Sequence, residues 1–326
     1  QTKLVKLGDT SVVKLIGNVF FFHNGAIISC DSAYRYSERR IEAMGNVIIN
    51  QDSLYIYGDK VVYNGETEIA EVYSELIKAV DSTATIYTRQ MYFNTREKTG
   101  YFSGGATMRD GNNLLEAERG TYNTNTRIVT LNDRVAMENE EYVLKTSALI
   151  YDQNKETAFF NVLTNIWNVK GEYLEAKKGN YDRIRTIYNF EKDSYILTKE
   201  QECWSDSLIY FSKDNEVELK RNIQIDDTTQ RASSFGDYGY FWNKSKNVLL
   251  TKRPSMFSYS ENKVDTAFVR ADTITVRPFI ERSNIYEKSD DIMGPMGVLD
   301  SLMGTDSLKL ARRDSLQIDK LSRDSS

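Results

Sequence analysis

The side chains that most often carry enzymatic chemistry are scarce in this sequence and lie far apart. His23 is the only histidine, and the two cysteines are Cys30 and Cys203. A zinc site needs three or four ligands together, and a catalytic triad needs a histidine held between its partners. His23 instead adjoins an Asn24-Gly25 turn, where we expect a surface residue. We therefore predict no catalytic residues, no metal site and no cofactor, and a protein that is not an enzyme.

Acidic residues recur about once every thirty residues, at Asp31, Asp59, Glu118 and Asp206. Such a spacing places them along one edge of a repeat array. The dense glycine-aspartate nonapeptides of calcium-binding β-rolls are missing. Glycosidase chemistry needs two carboxylates within about 10 Å, which neighbouring strands could supply. No particular pair stands out, so this chemistry stays open.

The repeat itself is marked by tyrosine. Successive tyrosines are 29 or 30 residues apart over most of the chain; they are Tyr34, Tyr63, Tyr92, Tyr122, Tyr151, Tyr181, Tyr210 and Tyr240. A constant period near thirty residues is typical of an array whose units contact only their neighbours. We expect the tyrosines to form a structural ladder, with stacked rings and hydroxyl groups bonded at the rim.

Each unit has the pattern of two strands separated by tight turns. Asn64-Gly65 follows one tyrosine strand and Asp110-Gly111 lies at the other edge, and such dipeptides tolerate the positive φ of hairpins. All three prolines follow Tyr240, as expected if the earlier strands donate to ladders on both sides. Strand glycines indicate a sharp bend in each unit; they are Gly17, Gly45, Gly104 and Gly105. Stacked bent units form a trough.

Aliphatic side chains recur at fixed distances from the tyrosines, which predicts inward-facing rows. Seven residues before a tyrosine the row includes Ile27, Ile56, Leu115, Leu144 and Leu174. Val129 lies seven residues after a tyrosine, and Val47 lies thirteen after one. The alternation fits both an open groove and a filled core, and the residues alone do not decide between them.

Composition excludes several classes of partner. The net charge is −5 with 27% charged residues, so the basic footprint of nucleic-acid binding is missing. No apolar run approaches the ~18 residues of a membrane-spanning helix. The cysteines lie in the first and seventh repeats, roughly 60 Å apart at about 4.8 Å per strand, so we predict two free thiols.

The repeats resemble the OstA-like (LptA-type) family of lipopolysaccharide-transport proteins. The resemblance rests on Gly17-Asn18-Val19, Gly45-Asn46-Val47 and the strand from Leu54 to Tyr63. It also rests on the Asp-x-x-x-Tyr pattern, as in Asp206-Ser207-Leu208-Ile209-Tyr210. The match is sharp over residues 12–63 and weaker, but in register, to about residue 245.

This resemblance implies an all-β fold, an elongated antiparallel β-jellyroll (β-taco) trough of ~30-residue repeats. It implies a non-enzymatic periplasmic carrier or bridge that shields the acyl chains of lipopolysaccharide, or a related lipid, on the way to the outer membrane. Inner-membrane and outer-membrane components of the same fold would be partners by end-to-end strand stacking. The implied groove residues are Ile27, Val47, Leu54, Ile56, Leu115, Val129, Leu144 and Leu174.

The chain begins at Gln1, which fits a mature periplasmic chain after signal-peptide removal or a cloned fragment, soluble or peripherally attached to membranes. We predict a repeat domain over residues 1–278 and a polar tail over 279–326 that is disordered or weakly helical, or else an end cap or docking peptide. Polar residues such as Ser233, Asn247 and Arg253 predict a less apolar groove in the last repeats. The alternatives are a right-handed β-helix that binds or acts on polysaccharide, and a structural scaffold.

Overall fold

The computed structural model describes residues 1–277 except 9, 83, 243, 246 and 261–265. It contains two compact units, unit 1 from Gln1 to Val169 and unit 2 from Lys170 to Ser326. The described elements are all β-strands, and the described part contains no helix long and apolar enough to cross a membrane. The tail predicted over 279–326 lies outside the described residues.

Unit 1 contains fifteen strands. They are β1 (Thr2–Leu7), β2 (Thr10–His23), β3 (Ala26–Arg35), β4 (Arg40–Gln51), β5 (Leu54–Asn64), β6 (Ile69–Tyr73), β7 (Ile77–Asp81), β8 (Ala84–Asn94), β9 (Thr99–Asp110), β10 (Asn113–Ala117), β11 (Arg119–Asn123), β12 (Ile128–Glu138), β13 (Tyr142–Asp152), β14 (Thr157–Phe160) and β15 (Thr164–Asn168). The described pairings between them are antiparallel, and long strands pair with their neighbours along the chain. Where a strand is divided in two, one long strand pairs with both halves, as β5 does with β6 and β7.

Unit 2 contains ten strands with the same kind of pairing. They are β16 (Tyr173–Ala176), β17 (Lys178–Asp182), β18 (Ile187–Leu197), β19 (Gln201–Phe211), β20 (Glu216–Asp227), β21 (Ala232–Trp242), β22 (Asn247–Thr251), β23 (Ser255–Tyr259), β24 (Thr266–Arg270) and β25 (Thr273–Val276). The predicted all-β antiparallel array is confirmed. Parallel β-helix coils are not formed in the described strands, which removes the fold of the polysaccharide alternative.

The turns that follow the tyrosine strands form one edge of each unit, called here the tyrosine edge. In unit 1 they span residues 64–68, 94–98, 123–127 and 152–156. The first residue caps the turn, because the side chain of Asn64 accepts from the amide of Glu66 and that of Asn94 accepts from the amide of Arg96. The turns also stack, because the amide of Thr95 donates to the carbonyl of Glu68 at 2.9 Å. Local turn chemistry and long-range stacking therefore agree.

The described residues confirm the predicted bend in seven repeats, where it is built from a pair of residues with positive φ. Gly45 and Asn46 have φ of 76° and 45° at the centre of β4. The pairs at the same position in other repeats are Gly17–Asn18, Gly104–Gly105, Asp133–Arg134, Lys192–Asp193, Arg221–Asn222 and Lys252–Arg253. Later repeats thus keep the left-handed conformation without glycine, which composition alone did not reveal. An ion pair across the bend accompanies it, as between Arg134 and Glu118.

Three tyrosines of the period do not face the interior. Tyr63, Tyr122, Tyr151 and Tyr181 are buried, but Tyr92 is 45% exposed. The inward residue in that strand is its neighbour Phe93, which is fully buried. The same one-residue offset places Ala33, not Tyr34, on the inner face of β3, and Gly239, not Tyr240, on that of β21. The expected uninterrupted tyrosine ladder is therefore wrong in these three repeats.

Candidate functional site

The interior of unit 1 holds six of the eight predicted groove residues. Val47, Leu54, Ile56, Leu115, Val129 and Leu144 are each at most 3% exposed. The residues adjacent to each of them in the same strand point outward, as the two-residue period of a strand requires. The predicted inward orientation of these six residues is confirmed. Their use by a lipid is a separate question that burial does not answer.

The two remaining predictions have different outcomes. Leu174 is half-buried in β16. Ile27 is 38% exposed on the outer face, while Ala26 and Ile28 are buried, so its inward placement is wrong. The cause is the offset in β3, because counting seven residues back from an outward tyrosine reaches another outward residue. Ile28 occupies the place that Ile56 occupies one repeat later.

The interior of unit 1 is covered by polar contacts between its two turn edges. At the opposite edge His23 shares a 2.5 Å hydrogen bond, through Nδ1, with the Tyr63 hydroxyl. Next to it the Asn24 side chain donates to Glu68 at 2.6 Å. His23 is therefore half-buried and bonded across the interior, and the expectation of a simple surface residue is wrong.

We call this line of contacts the polar seam. Its pairs are His23–Tyr63, Asn24–Glu68, Gln51–Thr95, Asp52–Lys98, Asp81–Tyr122 and Asn113–Tyr151. Each pair joins the opposite edge to the tyrosine edge, and its two members are 38 to 46 residues apart along the chain. The expected role of the tyrosine hydroxyls as rim hydrogen bonders is thus confirmed for three of them.

Tyr122 and Asp81 form one of the buried pairs of the seam, and both residues are 2% exposed. The tyrosine hydroxyl donates to the carboxylate. Burial and the neighbouring carboxylate raise the pKa of Tyr122 well above its ordinary value, so the phenol stays protonated. The seam therefore supplies hydrogen bonds to polar groups that would otherwise be buried without partners.

Unit 2 encloses an apolar cavity of about 130 Å³. Its walls include Ile196, Cys203, Leu219, Ile225 and Leu250. Burial raises the pKa of the Cys203 thiol to about 12, with the charge of Asp226 adding to the effect. Both cysteines are free thiols, as predicted, and Cys203 lies on the predicted inward row.

The prediction of a less apolar groove in the last repeats also rested on Ser194, which is 1% exposed in the interior, but it is wrong for Asn247 and Arg253. Val248 and Leu250, at 8% and 0% exposure, fill the inner face of β22, not Asn247. Arg253 lies at the bend, where its guanidinium pairs with Asp237 at 2.5 Å. Both polar positions were counted from Tyr240, which does not face the interior, and they were therefore assigned to the wrong face.

The recurring acids lie at the bend, where they accept hydrogen bonds from neighbouring side chains. The Asp31 carboxylate accepts from Asn46 at 2.8 Å, and that of Asp59 accepts from Ser74 at 2.7 Å. Asp206 accepts from Asn222 at 3.1 Å in the same way. Their position along one edge is confirmed, and these contacts assign them a structural role. The described residues contain no group of three or more acids, histidines or cysteines that could hold a metal ion.

Residues 1–147 match the model of the OstA-like protein family. The resemblance read from the repeats is thereby confirmed. Among solved structures the fold is similar to that of LptH from Pseudomonas aeruginosa, described as the LptA homologous periplasmic component of the conserved lipopolysaccharide transport device. That match has 16% identity and a TM-score of 0.33, and covers 35% of this chain and 93% of that chain. No curated protein matches the sequence.

Proposed function

We propose that this protein is a non-enzymatic periplasmic carrier that shields the acyl chains of lipopolysaccharide, or of a related lipid, inside its bent repeats. The observation that carries the proposal is an apolar interior in an OstA-like array of antiparallel strands. Apolar burial contributes roughly 25 cal/mol per Å² of acyl chain covered. A repeat array offers many similar weak sites, which suits movement along the groove.

In this proposal a lipid enters unit 1 only when the polar seam parts. Ile56 is 1% exposed beneath the seam, so an acyl chain has no access while the two edges are joined. Parting a seam pair exposes both of its members to water, which hydrogen-bonds the same groups, so the net cost of parting one hydrogen bond is only about 1 kcal/mol. Local opening of one pair is therefore much less costly than unfolding of a repeat.

The partners follow the same reasoning. Components of inner-membrane and outer-membrane assemblies with similar strands would add to the ends of the array, since unpaired strand edges favour pairing with another chain. Soluble or peripherally attached placement in the periplasm fits a carrier between two membranes.

Photo-crosslinking in Gram-negative cells that make lipopolysaccharide tests the proposal. A crosslinker at Ile56, which points inward, is compared with one at Tyr57, which is 38% exposed on the outer face of the same strand. We expect lipid adducts at Ile56 and none at Tyr57. Adducts at neither position, nor at Leu115 or Leu144, would favour the scaffold alternative, which the dense packing of unit 1 also supports.

A further inference from the structure

One position in unit 1 departs from the repeat in a way that suggests a ligand. Seven residues after the inward aliphatic residue of each unit there is a rim residue. The rim residues that follow Ile56, Ile86, Leu115 and Leu144 are Tyr63, Phe93, Tyr122 and Tyr151. The one that follows Ile28 is Arg35. The first repeat of unit 1 therefore has a permanent positive charge at the position where the other four repeats have an aromatic ring.

Arg35 lies at an open cavity of about 180 Å³. The walls include the apolar side chains of Leu15, Phe21, Ile28 and Ile41. An enclosed apolar cavity of about 150 Å³ holds a benzene-sized group, so the space suits a short piece of an alkyl chain. Apolar walls below a cationic rim form an amphipathic site.

The charges around the rim favour an anion. Besides Arg35 the rim includes Arg39 and Glu38, and His23 lies on the same cavity. The guanidinium of Arg39 is 3.9 Å from Glu66, with both side chains about 70% exposed, so this ion pair is weak. Arg35 Nε donates to the carbonyl of Ser37 at 3.3 Å. Both guanidinium groups thus keep N–H donors free to face a ligand.

The backbone holds the rim in place. The amide of Gly65 donates to the carbonyl of Arg39 at 2.6 Å, which fixes the turn that carries this arginine to the next turn of the tyrosine edge. A guanidinium on a fixed turn can meet a phosphate or carboxylate through two parallel hydrogen bonds.

We propose that this cavity binds a single-chain anionic amphiphile, with its phosphate or carboxylate against Arg35 and Arg39 and its alkyl chain against Leu15 and Phe21. The inference rests on the proposed lipid-carrier function and adds a defined headgroup site to it. The two arginines would not select the ligand by themselves, because the alkyl chain of the ligand supplies the apolar burial and its headgroup supplies the charge.

Isothermal titration of the full chain with decyl phosphate, below its critical micelle concentration, tests the site. Decyl maltoside and inorganic phosphate are the comparison ligands. We expect decyl phosphate to bind most tightly. The double substitution Arg35→Gln/Arg39→Gln is expected to weaken its binding roughly tenfold, the effect of losing charge-assisted hydrogen bonds at an exposed site. Leu15→Ser is expected to weaken the binding of both decyl phosphate and decyl maltoside.

Arg89→Gln is the matched control, since Arg89 is an exposed arginine on β8 outside the cavity lining. It should leave all three titrations unchanged. Decyl phosphate that binds both the wild type and the double variant equally, but is weakened by Leu15→Ser, would overturn the headgroup site while leaving the apolar groove standing. Inorganic phosphate binding as tightly as decyl phosphate would reduce the site to a free-anion site and also overturn the proposal. Failure of every amphiphile to bind would contradict the carrier function as well.

Discussion

Substituting Tyr122 with phenylalanine removes one hydroxyl group from a buried, charged pair of the polar seam. Tyr122 donates to Asp81, and each residue is 2% exposed, so water cannot replace the lost donor. Leaving a buried acceptor without its partner costs about 1–3 kcal/mol, and more when the acceptor is charged. We therefore expect Tyr122→Phe to lower the free energy of unfolding of unit 1 by about 3 kcal/mol.

Urea unfolding followed by circular dichroism measures this loss. With a slope of roughly 2–3 kcal/mol per molar urea, the midpoint should fall by about 1 M. Tyr92→Phe is the matched control, because it deletes the same hydroxyl at the same position of the repeat on a ring that is 45% exposed. Exposed substitutions of this kind usually change stability by less than about 0.5 kcal/mol.

A second substitution isolates the charge of the acceptor. In an Asp81→Asn background, Tyr122→Phe should cost only about 1 kcal/mol, the usual net contribution of a neutral hydrogen bond. The difference between the two costs is the coupling energy of the pair. Equal midpoints for Tyr122→Phe and Tyr92→Phe would refute the interpretation of the seam as a set of buried, mutually dependent polar contacts.

Three further predictions test the bend, the seam and the unit 2 cavity. Gly45→Ala should lower the melting temperature more than Gly105→Ala. A methyl group at Gly45 would lie 2.7 Å from a carboxylate oxygen, whereas a methyl group at Gly105 would have no atom within 4 Å. Similar losses for the two variants would contradict this prediction. Hydrogen bonding to Arg96 lowers the pKa of Glu68 below its ordinary 4.5, so the stability that Glu68 contributes is present above pH 4.5 and is lost as the pH falls through the lower folded pKa. In melting curves recorded from pH 5 to 3, Glu68→Gln should therefore reduce the fall in melting temperature with acid. An unchanged dependence of melting temperature on pH would contradict this role of Glu68. Since the pKa of Cys203 is raised from 9.0 to about 12, its alkylation by iodoacetamide at pH 8 should be roughly a thousandfold slower in the native chain than in urea, and comparable rates would show an open cavity.

The period of the sequence was enough to predict the class of fold. Turn residues such as Asn64 and bend residues such as Gly45 act locally, through side-chain caps and positive φ. They can therefore be recognised in the sequence without knowledge of distant contacts. Strand alternation then assigned Ile56 and Leu144 to the interior, because burial follows the two-residue period closely.

The phase of the period was harder to predict than the period itself. Tyrosine suits both faces of a sheet, since its ring can pack inward at Tyr63 or lie outward at Tyr92. A shift of one residue reverses every side chain of a strand, which is why Ile27 was placed on the wrong face. The aromatic at Phe93, beside Tyr92, was the signal that could have shown the offset.

The seam could not be predicted from the sequence for a different reason. Its partners, such as Asp81 and Tyr122, are 41 residues apart, which is not a multiple of the repeat. Their pairing depends on how far the two turn edges are staggered when the strands bend. No local rule of turns or strands contains that distance.

This stagger affects how unit 1 should respond to the loss of a repeat. In most repeat proteins stability is a sum over adjacent units, and one unit can be removed with only nearest-neighbour consequences. In unit 1 the members of each seam pair are 38 to 46 residues apart, which is more than one repeat, so removing one repeat forces hydrogen-bonding partners from different repeats to pair anew. Neighbouring seam residues are not interchangeable: His23 faces Tyr63, Gln51 faces Thr95 and Asp81 faces Tyr122. The order of the repeats is thereby encoded in the chain, and shuffled or shortened variants should fold less cooperatively than their composition suggests.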